Sequence, residues 1–160
     1  MTIKVGDKLP EATFMTMDTD GPVPTTTSDV FSGKRVALFA VPGAFTPTCS
    51  AKHLPGFKDN AEAFKAKGID AIACTSVNDV FVMGAWGKEQ GISTEMKMLA
   101  DGNGDFAKDI GLTLDASGFG MGARSQRYAM VVNDGVVESL YVEDGGEFKV
   151  SSAEYLLDNI

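Results

Sequence analysis

Apolar residues in this chain gather either into short unbroken runs or into spaced sets, and the two patterns predict different elements. Arg35-Val36-Ala37-Leu38-Phe39-Ala40-Val41 is an almost wholly apolar run, as a buried strand requires. Behind it, Leu54, Phe57, Ala61 and Phe64 recur at helical spacing, which predicts a helix ending near Lys67 and stopped by Gly68. Thr46 suits an N-cap and Pro47 the first helical position, so the helix is expected to open there with Cys49 in its first turn. Pro55 lies inside it and lacks the N–H that would bond back to Ala51, so a kink is expected.

The second apolar run, residues 69–77, predicts another strand, with Asn78 as the expected cap of a helix carrying Val82 and Trp86. Strand, helix, strand, helix is the order of a parallel βαβ unit. Residues 97–100 read as a short strand, Asp101-Gly102 as a turn, and residues 105–110 as a short helix closed by Gly111. The pattern then changes. Residues 128–132 and 136–142 flank Asn133-Asp134-Gly135, a hairpin signal, so this half of the sheet is expected to be antiparallel. Ser151 and Glu154 have capping-box spacing and open a last helix with Tyr155, Leu156 and Leu157. Residues 1–32 read as an irregular lead-in containing a hairpin. Together these elements predict a single α/β domain over residues 1–160: a thioredoxin-like fold whose mixed central β-sheet is flanked by helices and extended by an N-terminal hairpin.

Composition narrows the function classes. The formal net charge of -8 argues against a nucleic-acid partner and gives no attraction to an anionic membrane. The first residues lack the apolar core of a secretory signal and no window has the length of a transmembrane helix, so a cytoplasmic location is expected. Two cysteines are too few for a disulfide scaffold, so each is either inert core or chemistry. Cys49, His53 and Cys74 lack the paired spacing of a zinc site, and no metal or other cofactor is expected.

Cys49 carries the chemistry. An unperturbed thiol is only a few per cent thiolate at neutral pH, whereas a helix N-terminus and a nearby cation both favour the anion, which is the nucleophile. The Thr46 hydroxyl is expected to accept the N–H of Cys49 while donating its proton to the sulfur or to a substrate oxygen. His53 lies four residues after Cys49, on the same helix face, but no third residue to orient a protease-like Cys/His pair is evident. Gly118-Phe119-Gly120-Met121-Gly122 lacks the full glycine spacing of a nucleotide loop and precedes a strand rather than a helix.

The arrangement Pro42-x-x-x-Thr46-x-x-Cys49 resembles the peroxidatic motif of the peroxiredoxins. The run over residues 42–57, including Lys52-His53-Leu54-Pro55-Gly56-Phe57, is similar to the peroxiredoxin-5, or type II, branch. Supporting pieces follow in the same order: Ser76-Val77-Asn78-Asp79-Val80-Phe81-Val82-Met83, Ala85-Trp86 and Arg124-Ser125-Gln126-Arg127-Tyr128. The resemblance implies a thiol-dependent peroxidase in which Cys49 attacks hydrogen peroxide or an alkyl hydroperoxide and becomes a sulfenic acid. It assigns Arg127 to the sulfur and the bound peroxide, and Pro42 to covering the thiolate. It also implies a homodimer, recycled by glutathione and glutaredoxin or by thioredoxin. The N–H groups of Gly43 and Cys49 are candidates to hold the peroxide oxygen, and the Gly-rich loop to bring Phe119 near the site.

Cys74 has two readings, an inert core thiol or a resolving cysteine that condenses with the Cys49 sulfenic acid. Its strand position favours recycling by an external thiol, since a buried strand must partly open to reach a first-turn sulfur. A thioredoxin-type disulfide oxidoreductase is disfavoured because Ser50-Ala51-Lys52 contains no second cysteine. A non-catalytic redox sensor is the remaining rival.

Overall fold

The apolar run after Arg35 becomes an interior strand of a seven-stranded sheet, where both faces of a strand are covered and apolar–polar alternation disappears. The fold is described for residues 2–160 by a computed structural model. In chain order its strands and helices are β1 Thr13–Asp18, β2 Gly21–Thr26, α1 Thr27–Phe31, β3 Arg35–Ala40, α2 Leu54–Asp59, α3 Ala61–Ala66 and β4 Ala71–Ser76. There follow α4 Val80–Glu89, β5 Lys97–Ala100, α5 Asp105–Asp109, β6 Thr113–Asp115, β7 Ala123–Ser125, β8 Tyr128–Asn133, β9 Val136–Val142 and α6 Ala153–Asp158. The sheet order is β2-β1-β5-β4-β3-β8-β9. Strands β3, β4 and β5 are parallel, and the flanking pairs are antiparallel.

Side chains alternate across the sheet into two cores. Val36, Leu38 and Ala40 face a layer with Phe31 and Phe106, under α1 and α5. Ala37 and Phe39 face the opposite layer, with Leu54, Phe57, Phe64, Trp86 and Leu156 from α2, α3, α4 and α6. This is the mixed, helix-flanked sheet with an N-terminal hairpin that the sequence predicts. In the β8–β9 turn Asp134 has φ 49° and Gly135 φ 81°, the paired positive values that a two-residue hairpin needs.

Several local expectations are corrected. The helix after the Cys49 loop does not run unbroken to Lys67: Asn60, with φ −101° and ψ 14°, separates α2 from α3, and its side-chain amide donates to the Gly56 carbonyl. The distortion expected at Pro55 takes the form of a π-helical turn, Cys49–His53, in which the Leu54 N–H reaches the Cys49 carbonyl. Asp79 rather than Asn78 caps α4, accepting the Val82 N–H. Ser152 rather than Ser151 caps α6, because the Ser151 hydroxyl is committed to Glu143. The Gly-rich stretch before Arg127 is a loop, as expected, but it is framed by two short strands. It forms the tip of a small hairpin, β6–β7, and includes part of a single 3₁₀ turn, Ser117–Phe119. The short helix α1, opened by a reciprocal Thr26–Asp29 capping box, has no counterpart in the sequence reading.

Candidate active site

At the end of β3 the chain leaves the sheet through Pro42 and Gly43 and turns at Phe45, a non-glycine residue with φ 64°. Such a conformation costs about 1 kcal/mol or more and persists only where neighbours hold it. Asn78 is one such neighbour, its side-chain oxygen accepting the Ala44 N–H at 2.9 Å. Gly43 is closely approached: a Cβ there would lie 3.1 Å from the Met121 methyl and from Thr46 Cγ2, and 3.2 Å from Arg124 Nη1, so a larger residue would make these side chains shift. Thr46 then opens the helix, its carbonyl accepting the Ser50 N–H at 2.9 Å. Its hydroxyl does not cap Cys49 as expected; it donates to the Gly43 carbonyl at 2.7 Å, tying the loop into a tight turn.

Cys49 follows in the π-helical turn, fully buried. Strand register brings its partner. Ala40 lies opposite Tyr128 in the β3–β8 ladder, so Arg127, one residue earlier, comes level with the end of β3 and the Pro42 loop. From there Arg127 Nη2 donates to Cys49 Sγ at 3.1 Å. A fixed guanidinium N–H on sulfur is a contact that a thiolate strengthens.

The other half of the guanidinium holds His53, which does not contact the sulfur as a general base would. Arg127 Nη1 lies 2.8 Å from His53 Nδ1, and His53 Nε2 lies 2.8 Å from the Ser151 carbonyl. Since a guanidinium only donates and a carbonyl only accepts, the imidazole proton belongs on Nε2 and the lone pair on Nδ1. Burial, reinforced by the Arg127 charge and opposed by the Ser151 carbonyl, pushes the His53 pKa down to about 3, so the ring is neutral. Phe39, Phe57 and Phe148 pack around it with ring centres 4.8, 5.7 and 5.0 Å away.

Cys74 lies in β4 between Phe39 and Met98, fully buried in the same core layer as Cys49. Burial, and secondarily the nearby Cys49, pushes its thiol pKa up, with Arg127 acting in the other direction. Cys74 is therefore a protonated, weakly nucleophilic thiol at neutral pH, and neither cysteine is disulfide-bonded. Trp86 packs in the core and its indole N–H donates to the Ser50 hydroxyl at 3.0 Å, supporting the π-helical turn from below.

Beside this cluster lies a largely apolar cavity of about 410 Å³, lined among others by Pro42, Leu114, Phe119, Met121, Arg127 and Glu143. Phe119 stands at its rim, 87% exposed. Among the described residues no group of three His, Cys, Asp or Glu side chains converges on a metal-sized space.

Four residues support the site in ways the sequence does not show. Arg124 donates through Nε to the Met121 carbonyl at 3.0 Å and approaches the Pro42 carbonyl at 3.5 Å, fastening the β6–β7 hairpin to the Cys49 loop. Asn78 supports Ala44, and Glu143 and Ser151 support His53 across the chain. The resemblance motifs contain Arg124 and Asn78, but nothing local shows what they touch.

The family model described as Redoxin matches residues 4–157. The chain is 48% identical over 156 residues to peroxiredoxin-2B of Arabidopsis thaliana, covering 97% of this chain and 96% of that one. It is 53% identical over 160 residues to chloroplastic peroxiredoxin-2E of the same plant, covering 98% of this chain and 68% of the longer relative. Among solved structures, reduced Prx3 of Vibrio vulnificus in complex with hydrogen peroxide superposes with a TM-score of 0.95 at 51% identity, covering 99% of each chain. Peroxiredoxin 5 of Alvinella pompejana gives 0.85 at 36%, covering 97% of this chain and 96% of that one. A buried cysteine at a helix start under an arginine, on a thioredoxin-like sheet, thus belongs to a member of the Redoxin family. Within it the chain is a peroxiredoxin of the type II, peroxiredoxin-5-like branch, a thiol-dependent peroxidase.

Proposed function

We propose that Cys49 is the peroxidatic nucleophile and that Arg127, Thr46, Pro42 and Gly43 form the pocket in which the O–O bond breaks. The Cys49 thiolate attacks the distal oxygen of hydrogen peroxide or an alkyl hydroperoxide; an S–O bond forms, the O–O bond breaks, and the departing oxygen takes a proton to leave as water or alcohol. Cys49 is oxidised to the sulfenic acid. The observation that carries this reading is the 3.1 Å contact of Arg127 Nη2 with a fully buried Cys49 sulfur, which keeps a positive charge where negative charge moves from sulfur to oxygen. Thr46, whose hydroxyl rests on the Gly43 carbonyl, is positioned to redirect that group toward a bound peroxide. The apolar cavity edged by Pro42 and Phe119 suits the alkyl group of an organic hydroperoxide.

The reductant is external: a small thiol such as glutathione acting with glutaredoxin, or thioredoxin. One thiol condenses with the sulfenic acid, releasing water, and a second displaces it as a disulfide, returning the Cys49 thiolate. Burial of Cys74 in a central strand supports this, since its sulfur cannot attack without opening the sheet. A homodimer is proposed through a loop-rich face that includes Phe45 and Phe119, both exposed. The cytoplasm is proposed as the location, in keeping with two free thiols.

The test is peroxide consumption with protein far below the peroxide concentration and a thiol system added. Many turnovers, abolished in Cys49→Ser, are expected. A single equivalent consumed would make the protein a sensor instead, and reduction of insulin disulfides without peroxide turnover would make it a disulfide oxidoreductase.

A further inference from the structure

Glu143 is nearly buried, 7% exposed, yet its carboxylate gathers main-chain donors rather than a cation. Its Oε2 accepts the N–H groups of Lys149, Val150 and Ser151 at 2.8, 2.9 and 2.8 Å, and the Ser151 hydroxyl at 2.6 Å. Burial alone would raise its pKa, but the Ser151 hydroxyl and these three amides outweigh it and hold the carboxyl below the usual range, so it is ionised at neutral pH. The N–H of Glu143 meanwhile donates to the Arg127 carbonyl at 3.0 Å. One residue therefore grips the Arg127 backbone and also the loop whose Ser151 carbonyl accepts the hydrogen bond from His53 Nε2–H.

We infer that Glu143 and His53 are positioning residues that hold the Arg127 fork on the Cys49 sulfur. The inference rests on Cys49 and Arg127 acting as proposed above. A free arginine side chain samples many rotamers and loses that freedom on being fixed. With Nη1 pinned to His53 Nδ1, the planar fork has one remaining orientation, and it aims Nη2 at Sγ. A carboxylate in place of His53 would hold the guanidinium equally well but cancel its charge. A neutral imidazole anchors it and leaves the full positive charge for the sulfur and the peroxide. To accept at Nδ1 the ring must carry its proton on Nε2, which the Ser151 carbonyl secures, and Ser151 is held by Glu143.

The test is a double-mutant cycle read as the second-order rate of the reduced protein with hydrogen peroxide in single turnover. Arg127→Gln is expected to lose about a hundredfold, and Glu143→Ala and His53→Leu about tenfold each. Glu143→Gln, whose side-chain carbonyl accepts the same four donors, is expected to stay within about threefold of the parent. In the Arg127→Gln background, Glu143→Ala is expected to cost less than about twofold more, since its effect runs through Arg127. An unchanged rate in Glu143→Ala, or the same fold-loss with and without Arg127, would overturn the inference while leaving the peroxidase reading intact. A parental rate in Arg127→Gln would overturn both the inference and the assignment of Arg127. Should Glu143→Ala fail to fold, the cycle run with His53→Leu decides on the same terms.

Discussion

Arg127 and Cys49, 78 residues apart in the chain, meet at 3.1 Å because β8 pairs antiparallel with β3 and the register sets Tyr128 against Ala40. A one-residue slip would turn Arg127 to the other face of the sheet. The contact is thus a property of strand pairing as much as of either side chain.

Replacing Arg127 by Gln keeps a polar hydrogen-bonding side chain but removes the charge and the guanidinium fork. The rate with hydrogen peroxide is expected to fall about a hundredfold, as for loss of one preorganised donor to developing charge, while far-UV circular dichroism is unchanged. Stopped-flow measurement on the reduced protein decides it; a rate within twofold of the parent removes Arg127 from the mechanism.

Thr46→Val retains the shape that fills the turn beside Gly43 and discards the hydroxyl that donates to its carbonyl. The expected result is a peroxide rate lowered about ten- to a hundredfold and a stability loss of about 1 kcal/mol, the net worth of one hydrogen bond. A stability loss with a peroxide rate equal to the parent's would make Thr46 a purely structural residue.

His53 is the only histidine, and in the folded chain it stays neutral down to about pH 3, against an ordinary value of 6.5. Between those values the unfolded chain binds a proton that the folded chain does not, so stability falls as the pH is lowered. From pH 7 to pH 5 the loss is about 2 kcal/mol from this group alone. Urea midpoints at the two pH values are expected to differ accordingly in the parent and to converge in His53→Gln; an undiminished pH slope in that variant contradicts the neutral, buried assignment.

Cys74→Ser is expected to retain most peroxidase activity with glutathione and glutaredoxin as the reductant, because Cys74 is buried in a central strand and its thiol is protonated. Mass spectrometry of the peroxide-treated parent is expected to find Cys49 as a sulfenic acid or a mixed disulfide. A quantitative Cys49–Cys74 disulfide would reverse the preference for an external thiol.

The sequence by itself determined the elements whose signals are local. The apolar run at β3, the Asn133-Asp134-Gly135 hairpin and the Pro47 helix start all appear where backbone geometry and burial demand those residue types. The resemblance likewise identified the family, since its densest motif, residues 42–57, is one continuous stretch and its supporting pieces at 76–83, 85–86 and 124–128 follow in chain order. The caps were misread by one residue at Asn78 and Ser151 because each side chain had a stronger distant partner, the Ala44 N–H and the Glu143 carboxylate. The same reason hid the chain of contacts from Glu143 through Ser151 and His53 to Arg127: it joins the residue after β9, the segment before α6, the π-helical turn and the residue ahead of β8. Only the packed sheet decides which of these buried polar groups face one another. Burial then forces each to find a partner, and that partner is chosen by proximity in space, which no local pattern along the chain encodes.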